Sequence, residues 1–354
     1  MKPQSGQESH SVQDFKFYGT GRDLFHIFVF NLLFTLLTLG VYYFWAKTRT
    51  RLYLWGQSEF AGDRFAYHGT GKELLFGWMK ILLVFGGLVG VSVLLFSYLD
   101  PVTAELADTG LTYLWLMVFI PLARIGTMRY RLSRLSWRGI RFSFRSRFAQ
   151  FFKVWLPGIL LTGLTLGLHY PHYHLKIRGF QVDHSFFGSK PFAFDNTDGA
   201  PLWQPFRRAY LTTLALQAGV ILWLMFGPYE TPVGRVVFVL ALAAGLGVVL
   251  FRWLEYLASR RRFYWEHTRL GHARFRSTVA ARDLFRLHAV NVLLVAGTLG
   301  LAFPWVKTRI RRYDLEHLFL EGPLDLEGVV QEAQVADASG EGLAGFLDLD
   351  TLEF

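Results

Sequence analysis

Three clusters of basic residues carry the clearest chemical signal in the sequence. Within each cluster the cations are spaced two residues apart, and the first and third clusters follow Trp45 and Trp305 by two residues. Lysine and arginine at the edge of a bilayer attract anionic headgroups by about 1 kcal/mol each. The clusters therefore predict lipid-headgroup binding, with the tryptophans as interfacial anchors; a role in topology alone is the simpler alternative. The candidate headgroup ligands are Lys47, Arg49, Arg51, Lys176, Arg178, Lys307, Arg309 and Arg311.

Three histidines beside the middle cluster form a second candidate site. The imidazoles of His169, His172 and His174 could converge on zinc or copper. At the equivalent places the first cluster has tyrosine, tryptophan and lysine, positions that need no metal. We therefore favour a structural role for the histidines, and we expect no metal and no cofactor.

Each basic cluster follows a Thr-Leu-Gly phrase, which occurs at residues 38–40, 165–167 and 298–300 within apolar runs. Glycine tolerates positive φ, so Gly40, Gly167 and Gly300 predict three turns. Both flanks of each segment are basic, and lysine and arginine concentrate on the cytoplasmic side of membranes. Each segment is therefore predicted to enter from the cytoplasm, turn and return. A simple span is the alternative, because about 22 uncharged residues can cross a bilayer.

Two asparagines, Asn31 and Asn291, occupy equivalent places in the apolar arms before the first and third turns. Asparagine inside a membrane helix commonly bonds to a neighbouring helix or its backbone. The alternative is that both residues line a polar cavity.

Four other apolar runs, near residues 74–99, 106–123, 211–227 and 236–254, are predicted membrane spans. The loops at 100–110 and 227–234 lack lysine and arginine, which places them outside the cytoplasm. The net charge is +10, and 52% of the residues are hydrophobic. A basic membrane protein is expected to face anionic phospholipid, and nucleic-acid binding is not expected.

A second phrase, Gly-Thr-Gly at residues 19–21 and 69–71, follows alternating aromatic and polar residues. This order predicts a short strand, a turn and a helix N-terminus. The glycines lack the spacing of a phosphate-binding loop. The predicted fold is an all-α polytopic membrane protein built from tandem repeats, with about four true spans, three Thr-Leu-Gly re-entrant or broken segments and short cytoplasmic β-strands.

The predicted organisation is a disordered lead at 1–14, repeat units at 15–136 and 137–268, a partial third unit at 269–328 and an acidic tail at 329–354. The absence of cysteine excludes disulfides and thiolate chemistry. No nucleophile stands with a base and an orienting group at a recognised spacing. We predict no catalytic residue and a protein that is not an enzyme.

Three stretches together resemble the YjgN-like family of bacterial inner-membrane proteins of unknown function. They are residues 15–25, the apolar stretch through Trp45 to Lys47, and Gly62 to Tyr67. The resemblance extends from about residue 15 to 326. It implies a multi-pass protein of the bacterial cytoplasmic membrane and supplies no catalytic residue. The middle unit departs from the family pattern, with His172 and His174 at the tryptophan and lysine positions.

These observations favour non-enzymatic handling of lipid or a small amphipathic solute, by transport, conduction or lipid organisation. The alternative is an assembly or regulatory protein that recruits cytoplasmic partners through its strands and acidic tail. Expected partners are anionic phospholipids, with a cytoplasmic protein or a second copy of the chain as further candidates. The C-terminal tail is expected in the cytoplasm.

Overall fold

The chain alternates short strands with pairs of helices. A computed structural model describes residues 12–195, 198–228, 230–324, 329 and 331. The strands are β1 (Val12–Phe17), β2 (Ser58–Phe60), β3 (Asp63–Tyr67), β4 (Leu135–Trp137), β5 (Ile140–Phe144), β6 (Ser185–Phe187), β7 (Lys190–Phe194), β8 (Thr268–Leu270), β9 (Ala273–Ser277) and β10 (Leu318–Glu321). The helices are α1 (Gly21–Leu37), α2 (Tyr43–Gly56), α3 (Gly71–Tyr98), α4 (Pro101–Ser133), α5 (Phe148–Leu164), α6 (Tyr170–Asp183), α7 (Ala200–Phe226), α8 (Pro232–Glu266), α9 (Ala281–Gly297) and α10 (Phe303–Glu316).

The order strand, helix, helix, strand occurs five times, from β1-α1-α2-β2 to β9-α9-α10-β10. An equivalent backbone hydrogen bond closes each of the five groups, from the amide after the first strand to the carbonyl before the second. The five donor and acceptor pairs are Tyr18 and Gln57, His68 and Arg134, Arg145 and His184, Asp195 and His267, and Thr278 and His317. Their lengths are 2.7–3.0 Å.

The ten strands form one closed antiparallel barrel in the order β1-β10-β9-β8-β7-β6-β5-β4-β3-β2. Each strand has three to six residues, fewer than the 9–11 or so that a membrane-spanning strand needs. Strand β1 closes the barrel by pairing with both β2 and β10. Every unpaired edge is thereby removed.

The barrel shows that the predicted all-α class with short cytoplasmic strands is wrong. The alternation at residues 15–17 and 65–67 did indicate strands, but their partner strands have three or four residues, too few for a readable period. A whole helical hairpin separates each such pair along the chain, as between β1 and β2. Closure depends on these distant pairings and could not be inferred from local pattern.

The barrel interior is filled by apolar side chains at equivalent places in the five groups. Each first strand contributes a phenylalanine that lies opposite an aromatic residue or leucine of the second strand. The cross-strand pairs are Phe15 with Phe60, Phe65 with Trp137, Phe142 with Phe187, Phe192 with Leu270, and Phe275 with Leu320. Neighbouring phenylalanine rings approach to 6.3–6.4 Å, as between Phe142, Phe192 and Phe275. The aromatic core holds the short strands together.

The helices form a ring above one rim of the barrel. Each helical hairpin follows an odd-numbered strand and precedes an even-numbered one, so all five leave from the same rim. Consecutive helices contact one another, and α10 contacts α1. Helices α3, α4, α7 and α8 are long and apolar enough to cross a membrane. They lie at the four predicted spans.

The other three hairpins are shorter and turn at Thr-Leu-Gly. The Thr38 hydroxyl donates to the carbonyl of Phe34 at 2.7 Å and accepts from the amide of Tyr42 at 2.9 Å, which links the two helices. Leu39 has φ of +49° and Gly40 has φ of +95°. The same conformations occur at 166–167 and 299–300. The three segments are therefore broken helices whose ends return to the same rim.

The ends of the chain bear on two sequence predictions. Strand β1 begins at Val12, so residues 12–14 of the predicted lead belong to the barrel. Residues 1–11 and the acidic tail beyond residue 331 lie outside the described residues. The division into units at 15–136, 137–268 and 269–328 stays a prediction.

Candidate binding cavity

The basic clusters lie within α2, α6 and α10, and the helix divides them between two faces. Residues two apart point in nearly opposite directions on a helix, whereas residues four apart share a face. Arg51, Arg178 and Arg311 are 9, 8 and 5% exposed. Arg49 and Lys176 are exposed on the outer face. The predicted headgroup ligands therefore divide into two sets, one buried inside the protein and one on the outer face of the helices.

The outer set is Arg49, Lys176 and Arg309. Arg49 lies over the rings of Phe30 and Tyr42, at 5.1 and 5.7 Å from their centroids, and Arg309 is half-buried. Lys47 and Lys307 share the face of the buried arginines that follow them by four residues. Lys47 is buried and lies 5.9 Å from the ring of Tyr43, and Lys307 lies 4.9 Å from the ring of Phe303.

The two tryptophans that precede the clusters pack against helix starts of the neighbouring hairpin. The Cα of Trp45 and its indole ring adjoin Gly71, the first residue of α3, where an added Cβ would lie 2.7 Å from the ring. Trp305 adjoins Gly21, the first residue of α1, in the same way. The second glycine of Gly-Thr-Gly is needed for this close approach. The tryptophans thus join adjacent hairpins, a role the sequence reading did not identify.

The predicted asparagines are buried inside the short hairpins. The Asn31 amide donates to the carbonyl of Ala46 at 3.2 Å, which ties α1 to α2. Asn291 is buried at the equivalent place in α9. Neither residue is among those that line the central cavity. The observed contact of Asn31 matches the backbone-bonding alternative.

The three histidines do not converge. His169 and His172 have ring centroids 5.0 Å apart, whereas His174 lies against Tyr170 at 4.2 Å. Within the part of the chain that the structure describes, no group of three or more His, Asp or Glu residues could hold a metal ion. Of the three, His174 lines the central cavity.

A central cavity of about 200 Å³ lies where the helix ring meets the barrel. Its barrel side is lined by the aromatic core, including Phe15, Phe65 and Trp137. Its helix side is lined by five arginines and one carboxylate: Arg124, Arg178, Arg260, Arg261, Arg311 and Asp314. The cavity therefore has one apolar end and one strongly basic end.

Arg311 is the most enclosed cation of this basic end. Its Nε donates to the hydroxyl of Ser58 at 3.3 Å, and its guanidinium lies 4.0 Å from the ring of Trp55. Nη2 is buried and has no hydrogen-bond partner among the described residues. Burial lowers the pKa of Arg311 to about 10, while nearby Asp314 raises it. The side chain stays protonated at neutral pH.

The other charges of the basic end are held by specific contacts. Arg261 donates to Oδ1 of Asp314 at 2.7 Å. Burial raises the pKa of the Asp314 carboxyl, and Arg261 opposes that shift. Arg178 and Arg260 both lie 5.9 Å from the ring of Tyr264. One carboxylate thus faces several fixed cations, and the site can attract an anion.

Sequence reasoning missed this cavity because its residues come from different hairpins. One signal was available: an arginine stands seven residues before the second strand in four of the five groups. Three of the four, Arg178, Arg261 and Arg311, line the cavity, whereas Arg51 does not. The remaining group has Met128 there. A second signal is Ser277, which lines the cavity where the other four groups have Phe17, Tyr67, Phe144 and Phe194. The smaller serine leaves space that an aromatic ring fills elsewhere.

Comparison with known proteins agrees with a membrane architecture. Residues 12–346 match the family described as "Bacterial protein of unknown function (DUF898)". Inner membrane protein YjgN of Escherichia coli K12 is 33% identical over 44% of this chain and 37% of its own length. The proteins of the same name from E. coli O157:H7 and Salmonella typhimurium LT2 are 36 and 29% identical, over 38 and 47% of this chain. The matched regions span only 31–40% of the length of these relatives. No solved structure matches the chain.

Proposed function

This chain belongs to the DUF898 family of bacterial proteins of unknown function, and from that premise we propose that it is a non-enzymatic protein that handles a small amphipathic solute or lipid. The relatives named as inner-membrane proteins, together with four membrane-capable helices, support a multi-pass inner-membrane protein. The resemblance to YjgN-like proteins is thereby confirmed. The activity itself is not supplied by any relative.

The central cavity is the observation that carries this proposal. Aromatic rings line its barrel side and arginines line its helix side. Small-molecule sites are typically concave and mostly apolar, with a few convergent polar groups that fix orientation. Among the described lining residues, Asp314 is the single carboxylate and it is paired with Arg261. This composition favours binding over acid-base catalysis.

The placement in the membrane is part of the same proposal. The long hairpins cross the bilayer, and the short ones enter and return without crossing. Supporting this, the tip leucines Leu39 and Leu299 are each 95% exposed in a left-handed conformation that leucine rarely adopts. An exposed apolar tip is stable where acyl chains cover it. The tips of the long hairpins, which lack lysine and arginine, then lie outside the cytoplasm, and the C-terminal tail lies in it.

Anionic phospholipids are the proposed partners of the outer basic set. Arg49, Lys176 and Arg309 stand on helix faces that point away from the cavity or only partly toward the protein. Each cation near an anionic surface contributes about 1 kcal/mol. This contact belongs to the outside of the ring and is separate from the cavity.

The proposal is tested by filling the cavity. Ser277→Phe places at this position the aromatic residue type that stands at the four equivalent positions, so we expect the barrel to fold. Native mass spectrometry after gentle extraction in a non-ionic detergent should show a small molecule or lipid on the parent protein and its loss from this variant. Ala66→Phe, on an outward-facing position of β3, is the matched control and should retain it.

Two results would contradict the proposal. One is a parent protein that carries no bound molecule and takes up none from a mixture of membrane extracts. The other is a folded Ser277→Phe variant that retains the same molecule in the same amount. Either result would leave the cavity as a packing defect of the barrel.

A further inference from the structure

The basic end of the cavity has more positive charge than its own carboxylate can balance. Five arginines and one carboxylate, Asp314, line this end, and Arg261 donates to Oδ1 of Asp314 at 2.7 Å. Buried charges are costly unless they are paired and hydrogen-bonded. An anion bound beside Arg311 would add negative charge to this basic end.

Arg311 shows where such an anion would bind. Its side chain is held on two sides, by the hydroxyl of Ser58 and by the ring of Trp55. Arg311 lines the cavity, and its Nη2 is buried and lacks a hydrogen-bond partner among the described residues. A guanidinium held in place with one donor unused is suited to a carboxylate or phosphate oxygen.

The size of the cavity limits the rest of the ligand. The volume of the cavity is about 200 Å³. Pockets for drug-sized ligands are larger, about 300–1,000 Å³. A cavity of this volume suits an acidic group with a small ring or a short chain.

We propose that the cavity binds a small organic anion whose carboxylate or phosphate group contacts Arg311 and whose apolar part lies on the aromatic floor formed by residues such as Phe65 and Phe275. This inference rests on the proposed function and deepens it by naming the ligand class. The acidic group could belong to a free solute or to the headgroup of a membrane lipid. Both sources share the chemistry, and the experiment separates them.

The experiment measures binding to the full chain in a non-ionic detergent by calorimetry. Phenyl phosphate carries both parts of the proposed ligand. Benzyl alcohol carries the ring alone, and inorganic phosphate carries the anion alone. Phenyl phosphate should bind at least about tenfold more tightly than either of the others, since a hydrogen bond to a charged group contributes about 1.5–3 kcal/mol.

Variants locate the anion. Arg311→Gln should weaken the binding of phenyl phosphate at least about tenfold and leave the binding of benzyl alcohol unchanged. Arg311→Lys keeps the charge and should retain more affinity than the glutamine variant. Arg207→Gln, at an exposed arginine of α7 that does not line the cavity, is the matched control and should bind like the parent. If Arg311→Gln does not fold, the parent's preference among the three probes still decides.

Competition in nanodiscs identifies the source of the acidic group. If phosphatidylglycerol competes with phenyl phosphate and phosphatidylcholine does not, the acidic group belongs to a lipid headgroup. If neither lipid competes, the acidic group belongs to a free solute. Equal binding of benzyl alcohol and phenyl phosphate would overturn the proposal while leaving the proposed function intact. If inorganic phosphate binds as tightly as phenyl phosphate, the proposed contact between the apolar part of the ligand and the aromatic floor is wrong. If no probe binds and nothing is retained on extraction, both proposals fail.

Discussion

The Thr-Leu-Gly turns place a leucine and a glycine in the left-handed region of backbone conformation. Gly40 has φ of +95° with open space around the position where a Cβ would stand. Packing therefore does not explain the glycine, and backbone strain does. The left-handed region costs an L-residue about 1–2 kcal/mol.

A substitution pair isolates that strain. Gly40→Ala should lower the free energy of unfolding by about 1–2 kcal/mol, seen as a lower melting temperature in detergent. Gly86→Ala is the control, because Gly86 also has open space but lies within α3, where alanine is favoured. Equal melting temperatures for parent and Gly40→Ala would contradict the role given to this turn.

The outer basic residues allow a second prediction at the same scale. Replacing Arg49, Lys176 and Arg309 together with glutamine should remove up to about 3 kcal/mol of attraction to an anionic surface. The variant should retain less anionic phospholipid on purification, and the difference should shrink as salt rises. Unchanged lipid retention at low salt would leave these residues as topology markers only.

Some residue roles followed from the sequence and others required the fold. The turn glycines were predictable because positive φ is a local property of the chain. Which member of each basic cluster faces inward was not predicted, since the clusters were not assigned to helices. Once the clusters are known to be helical, a spacing of two residues explains why Arg49 and Arg51 lie on opposite faces.

At the scale of elements, three equivalent arginines each fasten one hairpin to the next, at three of the five junctions. They stand six residues before β4, β8 and β10 and donate to backbone carbonyls at equivalent places in the following group. The pairs are Arg129 with Ser146 at 2.9 Å, Arg262 with Val279 at 2.7 Å, and Arg312 with Gly19 at 3.0 Å. Leu52 and Gly179 occupy the corresponding places in the other two groups.

Removing one of these contacts should loosen one junction. Arg262→Gln should lower the free energy of unfolding by about 1.5–3 kcal/mol, because a charged hydrogen bond to backbone is lost. Arg252→Gln removes a more exposed ion pair on the same helix, with Glu255, and should cost about 0–1 kcal/mol. Thermal unfolding in detergent compares the two. A larger loss of unfolding free energy for Arg252→Gln than for Arg262→Gln would contradict the fastening role given to Arg262.

The sequence predicted individual strands and hairpins but not their assembly. Alternating aromatics indicated β1 and β3, and the apolar runs indicated the four long helices. Strand β2 has three residues, which is too few to show a period. The barrel and its cavity depend on pairing across whole hairpins, so they become visible only when the ring is closed.

For the whole molecule, the orientation of the protein in the membrane can be tested at the helix ends. Thr103 and Thr231 lie at the tips of the long hairpins, and Thr20 and Glu266 lie at helix ends beside the barrel; all four are exposed. In this cysteine-free chain, single cysteines at Thr103 and Thr231 should react with an impermeant maleimide on intact cells. Cysteines at Thr20 and Glu266 should react only after permeabilisation.

The matched comparison lies within one hairpin. A further cysteine at Leu52, an exposed position near the end of α2, should behave like Thr20, because α1 and α2 return to the same rim. Labelling of intact cells at Leu52 but not at Thr20 would show that this segment crosses the membrane.

The unequal lengths of the five hairpins have a consequence for the lipid around them. Short helices of 14–17 residues extend about 21–26 Å, and long ones of 27–35 residues about 40–53 Å. On the proposed placement, the leaflet nearest the barrel surrounds all ten described helices, whereas the opposite leaflet surrounds four. The protein then displaces more area from one leaflet than from the other and acts as a wedge. Such a shape matches a membrane that is convex on the barrel side, so curvature itself becomes a condition that this protein can sense or impose.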